Sequence, residues 1–349
     1  MNNYFAIAGL SAIMAVTLAL PFSVKKVEEE LEIFLCVMGV MAVSISGVWS
    51  FRLVGSALKE PIAITAAVTA VGFIFRAVRP KIKFWQDLLT AKFGAPRSVF
   101  IIVTLLGLGS SLGTAIISAL VLAEVVTIFN FERSYEIKMT VYACYAIGLG
   151  AALTPIGEPL STIVVSKLNF PPHNADFFYL IKMLGVWVVP GVLLSAFMAS
   201  RGAALARTGA AGLKEDHIET NMDILLRSAK VYIFVMALIL LGTGLSPLAE
   251  RFIAVLPTWA LFWANSVSAI LDNATLAAAE LTPAMTDRQI VFVLMGLLIS
   301  GGMLIPGNIP NIVSSAKLGI KSREWAGAAI PYGAALMLLY FILLTIFVK

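Results

Sequence analysis

Apolar runs long enough to cross a bilayer follow one another along nearly the whole chain, and one of them contains "LTPIGEPLS" at residues 153–161. A span needs about 18 or more apolar residues. Of the 349 residues, 60% are hydrophobic and 13% charged, roughly half the charge of a soluble protein. The sequence reads as an all-α polytopic membrane protein. The N-terminal run offers no basic residues before its apolar stretch, and Lys25 and Lys26 follow it. It reads as a retained first span with its N-terminus outside, not a cleaved signal.

These features exclude several function classes. Cys36 and Cys144 fall within apolar runs, so no disulfide framework is implied. His173 and His217 lie far apart in polar stretches, which gives no transition-metal site. Nucleotide-binding loops and zinc-hydrolase motifs are absent. The net charge of +5 fits membrane topology better than nucleic acid. No organic cofactor is expected.

Eight spans are predicted, at 4–22, 31–50, 61–78, 138–168, 177–199, 229–245, 288–318 and 325–348. Residues 97–130 and 247–283 are too long for one crossing and too short for two, and small polar residues interrupt both. Each is read as a re-entrant hairpin. With that choice one side collects Lys25, Lys26, the basic residues of 76–97, Arg133, Lys138, those of 201–230, Lys317, Lys321 and Arg323. The other side keeps Arg52, Lys59, Lys167, Arg251, Arg288 and Lys349. Basic residues gather in cytoplasmic loops, so both termini are expected outside. Single crossings by both stretches would erase that bias.

Residues 138–168 and 288–318 align without gaps, Gly157 over Gly307, Glu158 over Asn308 and Lys167 over Lys317. Each is preceded by a predicted hairpin, where "AIISALVLAE" matches "AILDNATLAAAE", and followed by one terminal span. The two repeats enter from opposite sides, so they are inverted, an arrangement common in secondary transporters. The predicted organisation is two N-terminal helices in 1–60, a first repeat in 61–200, a cytoplasmic linker in 201–228 and a second repeat in 229–349. Residues 76–97 are expected along the inner membrane surface.

Pro155 and Pro159 supply no helix N–H, and Gly157 loosens the backbone, so the helix is expected to unwind between Leu153 and Leu160. Pro306, Gly307, Asn308 and Pro310 would do the same in the second half. Unwound backbone at membrane depth is tolerated beside a cavity or ligand, where its carbonyls coordinate ions. Two half-sites result. One groups Ser118, at the first hairpin tip, with Thr154, Gly157, Glu158, Ser161 and Thr162; the other groups Asp272 and Asn273 with Gly307, Asn308 and Asn311. Each holds one carboxylate among oxygen donors, which suits a hard cation, and a desolvated carboxylate also takes protons. Glu158 has a second reading, as a structural acceptor for the half-helix N-terminus. Glu124 and Glu280 occupy matching places on the returning arms and are candidates for a proton relay. Lys182 is expected to snorkel.

"GAALTPIGEP", "SAILDNATLAAAELTP" and "SGGMLIPGNIPN" resemble the ion transporter superfamily from about residue 61 onward. That group holds NhaD-type sodium/proton antiporters, arsenite permeases and divalent anion:sodium symporters, and a small branch of cation transporters is most similar. The resemblance implies a scaffold domain, a mobile transport domain, a homodimer and elevator-like alternating access. The paired Ser-Asn-Thr tips of the dicarboxylate members are replaced by Ile117-Ser118-Ala119 and Asp272-Asn273-Ala274, which argues against a dicarboxylate. The expected function is exchange of a small monovalent cation, Na⁺ first, for protons across the plasma or inner membrane. The alternative is sodium-coupled symport of a small anion. An intramembrane hydrolase is disfavoured, because both histidines lie in loops and Asp272 is the only deep aspartate.

Overall fold

A computed structural model describes residues 4–24, 26–27, 30–204, 221–253, 256–270 and 273–348. Asp272 and most of the 201–228 linker lie outside the described residues. What is described is all-helical. In chain order the helices are α1 (Tyr4–Ser23), α2 (Leu31–Ser46), α3 (Phe51–Phe93), α4 (Ala95–Gly113), α5 (Ala115–Phe129), α6 (Arg133–Ala151) and α7 (Pro159–Leu168). They continue with α8 (Tyr179–Arg201), α9 (Asn221–Ile253), α10 (Thr258–Ala264), α11 (Asn273–Glu280), α12 (Asp287–Ser300), α13 (Ile309–Leu318) and α14 (Ser322–Phe347).

Among the described residues five helical stretches are long and apolar enough to cross a membrane: Phe51–Ala70, Ala95–Gly113, Tyr179–Arg201, Ile224–Leu248 and Ser322–Phe347. Shorter apolar helices stand beside them, Leu31–Ser46, Ala115–Phe129 and Pro159–Leu168 among them. This is the helix inventory of a membrane-embedded protein.

Local chemistry sets the ends. Ser50 caps α3 by accepting from Leu53 N–H at 3.1 Å. A capping box of Thr286 and Gln289 opens α12. α2 and α13 stop at Gly47 and Gly319, both left-handed.

Several boundaries differ from the sequence expectation. The span predicted at 61–78 belongs to one helix of 43 residues, about 65 Å long. It absorbs Pro61 and Pro80 and takes in most of the 76–97 stretch. The span predicted at 229–245 runs on through Pro247 to Ile253. In 247–283 the arms are therefore short, Thr258–Ala264 and Asn273–Glu280, with a 3-10 turn at Asn265–Ala269. In 97–130 the chain turns at Thr114, not at Ser118, which lies a turn into α5.

Small residues let the central helices approach closely. A Cβ on Gly150 would overlap the carbonyl oxygen of Gly107, which joins α6 to α4. Ser110 Oγ also donates to Ile147 O at 2.9 Å across the same contact.

The short helices pair across the two halves of the chain. α5 and α13 run side by side in the same direction, with Ser314 Oγ against Ala119 O at 3.4 Å and Lys317 in an ion pair with Glu124. Lys317, which sequence reasoning assigned to a cytoplasmic surface, is 3% exposed. α7 and α11 also pack together, and Lys167 Nζ donates to Leu281 O at 3.2 Å.

Breaking a buried ion pair strands a charge, whereas replacing both partners is often tolerated. Lys317→Met alone should therefore cost about 3–5 kcal/mol, and Glu124→Gln/Lys317→Met together should recover most of it. Thermal unfolding of the purified protein checks this. A double variant as unstable as the single one would contradict the pairing.

Candidate functional site

α6 ends at Ala151 and α7 begins at Pro159, so the chain between them is unwound where Pro155, Gly157 and Pro159 stand. Its backbone is met by protein. Ala115 N–H, just past the Thr114 turn, donates to Gly157 O at 2.9 Å. Thr154 Oγ1 donates to Ser111 O, at the end of α4. Thr162 Oγ1 donates to Pro155 O at 2.6 Å, and Ser161 Oγ reaches Ala151 O at 3.5 Å. Thr154, Ser161 and Thr162 thus hold the unwound segment in place, and their oxygens keep lone pairs for a further donor or cation. Gly157 is obligatory for packing, since a Cβ there would overlap Ala151 O.

The Thr114 turn has φ 68° and ψ 150°. That is a rare conformation for a β-branched residue and costs about 1–3 kcal/mol. Sequence reasoning missed it, because Gly113 next door is the ordinary choice for positive φ. Thr114 contributes what glycine lacks, an Oγ1 that accepts from Ile117 N–H at 3.4 Å.

The second interruption separates α12, ending at Ser300, from α13, starting at Ile309, with one 3-10 turn at Ile305–Gly307. It begins several residues before the expected Pro306. Asn311 Nδ2 donates to Gly301 O and Leu304 O, both at 2.9 Å. A Cβ on Gly307 would lie 2.5 Å from Gly301 O and 2.8 Å from Ser268 O. Asn273 approaches the same place, its Nδ2 3.7 Å from a Cβ placed on Gly301. Ser268 and Ser300, which sequence reasoning did not single out, share a 2.7 Å hydrogen bond beneath it.

Two positions aligned in the sequence make comparable contacts. Ser161 reaches Ala151 O, and Asn311, its aligned partner, reaches Gly301 O. Glu158 and Asn308 are the N-cap residues of α7 and α13, with φ/ψ of −157/160° and −154/147°. Neither side chain forms a capping bond, so Glu158 is not the helix cap that one sequence reading allowed.

Glu158 is 5% exposed. It lines a cavity of about 390 Å³ with Thr114, Pro155, Thr162 and, from the second interruption, Ile309. Asn308 packs on α6, where its Nδ2 would lie 2.5 Å from a Cβ on Gly148. The fold therefore gathers Thr154, Gly157, Glu158, Ser161 and Thr162 at the first gap and Asn273, Gly307, Asn308 and Asn311 at the second. Ser118 is buried in α5, a turn beyond Thr114. Among the described residues no three His, Cys, Asp or Glu side chains form a metal-binding group.

The family described as Protein of unknown function (DUF1646) matches residues 7–347. No curated protein matches the sequence.

Because packing forbids a side chain at either glycine, Gly157→Ala and Gly307→Ala should each lower stability by about 1–3 kcal/mol. Gly109→Ala, where a Cβ meets open space, should stay within about 0.5 kcal/mol. Thermal unfolding of the three variants tests the geometry.

Proposed function

The chain belongs to this family of proteins of unknown function, and we propose that it is a secondary transporter exchanging a small monovalent cation, Na⁺ first, for protons. One observation carries the reading. Glu158 is a buried acid at an unwound gap, lining a cavity, and its side chain is not used as the helix cap. A buried carboxylate in a membrane protein is expensive and by default functional, and hydroxyl and carbonyl oxygens beside it suit a hard cation.

The directions of the half-helices support an inverted repeat. α5 and α13 run in the same direction, and α7 and α11 pack together with Lys167 against Leu281 near their C-terminal ends. Contacts at helix ends support the predicted sidedness. Lys230 meets Glu32 at 2.7 Å, and Arg133 meets Glu324 at 2.8 Å, joining segments all expected in the cytoplasm. His173 meets Asp287 Oδ1 at 3.2 Å and Met285 O at 2.9 Å, joining segments expected outside. In this reading α4–α5 and α10–α11 are the re-entrant hairpins, and their tips close the gaps. The resemblance to the ion transporter superfamily adds the elevator movement and the homodimer. Asp272 supplies the second acid.

A second reading has its own support. The N-termini of α7 and α13 both face gaps with uncapped side chains, and helix N-termini attract anions. Sodium-coupled symport of a small anion is the alternative.

In proteoliposomes containing a pH dye, Na⁺ should release protons and Glu158→Gln should slow this by about tenfold or more, the loss expected when a ligand worth ~1.4 kcal/mol goes. Unchanged exchange after neutralising Glu158 and Asp272 together would refute the mechanism. Sodium-dependent uptake of an anion without proton movement would select the alternative.

A further inference from the structure

Glu280 ends α11, is 7% exposed, and neither carboxylate oxygen has a hydrogen-bond partner. The neighbouring polar side chain is Asn265, 0% exposed, which lies within reach but forms no hydrogen bond of standard geometry with it. Asn265 spends its Nδ2 on Val293 O at 3.2 Å, and its Oδ1 is also unmet. Both Glu280 oxygens and Asn265 Oδ1 are thus buried without a hydrogen bond of standard geometry, and the Asn265 amide is the polar side chain beside the carboxyl. A charged carboxylate left so would cost several kcal/mol, whereas a neutral carboxyl carries its own O–H donor.

The surrounding charges are accounted for elsewhere. α7 presents Lys167, whose Nζ donates to Leu281 O. On α9, Lys230 pairs with Glu30 and Glu32; the side chains of Asp223, Arg227, Glu250 and Arg251 lie outside the described ones. On α12, Asp287 meets His173, and Arg288 sits over the Phe292 ring at 5.5 Å. The counterpart acid, Glu124, is in an ion pair with Lys317. The two acids that sequence reasoning treated alike are thus in opposite electrostatic settings.

We propose that Glu280, beside Asn265, forms a proton-binding site in which the buried Glu280 carboxyl holds H⁺ at neutral pH. Glu124 is instead in an ion pair with Lys317. The assignment stands on burial and hydrogen bonding, independently of the exchange reading, to which it would give a proton carrier.

Infrared difference spectra of the full chain in lipid, taken between neutral and alkaline pH, test it together with thermal unfolding. The carbonyl band of a protonated buried carboxyl should be present in the wild type, lost in Glu280→Gln and kept in Glu124→Gln. Glu280→Gln should unfold at the wild-type temperature, because a neutral amide replaces a neutral acid, while Glu124→Gln should unfold markedly lower. A band untouched by Glu280→Gln would overturn the proposal. So would a Glu280→Gln protein that fails to fold or is as destabilised as Glu124→Gln. Neither readout requires transport, so failure here leaves the exchange reading standing, and absence of exchange leaves this site standing.

Discussion

Hydrocarbon offers no hydrogen bonds, so a helix interrupted at membrane depth must have its freed backbone groups met by the protein itself. In the proposed reading both interruptions lie at that depth, and the packing around them meets the constraint. Gly157 O is met by the first N–H beyond Thr114, and Gly301 O and Leu304 O by the Asn311 amide. The hydroxyls of Thr154, Ser161 and Thr162 reach other carbonyls nearby. Removing side chains at Gly157 and Gly307 is what lets the strands of unwound chain lie this close. The polar residues near the gaps thus serve the backbone first, and any ion must be held with the lone pairs and carboxyl oxygens that remain.

The same constraint explains why the halves interlock. Each short helix leaving a gap would expose an incomplete surface if it stood alone. α13 covers α5, and α7 covers α11, so each half of the chain completes the other. The strained backbone at Thr114 belongs to this arrangement, since its turn delivers Ala115 N–H to the first gap. Similar packing does not impose similar electrostatics. One contact carries a lysine–carboxylate pair, and in the other the lysine takes a main-chain carbonyl while the carboxyl lies against an amide.

Much of this was legible in the sequence. Pro155 and Pro159 remove helix donors and Gly157 loosens the backbone between them, so the first gap was expected from local chemistry. The second shares that chemistry, although Gly301 and Gly302 open it earlier than Pro306 does. Less local features were hidden. Lys317 looks like a loop lysine because its partner is 193 positions away, and no short-range pattern reports such a distance. The length of α3 was missed: the expected span ran from 61 to 78, whereas the helix continues on both sides with Pro61 and Pro80 inside it. Thr114 was overshadowed by Gly113, because the deciding term is a tertiary bond to Gly157. Asp272 lies outside the described residues.

The ion pair between Glu124 and Lys317 also bears on biogenesis. At about 5–20 residues per second, a ribosome adds the 193 intervening residues in roughly 10–40 s. Throughout that interval the nascent first half holds an acid in or near the bilayer without its eventual lysine. Insertion must then proceed with that acid wetted or shielded, and the lysine's arrival late in synthesis fastens the two halves together.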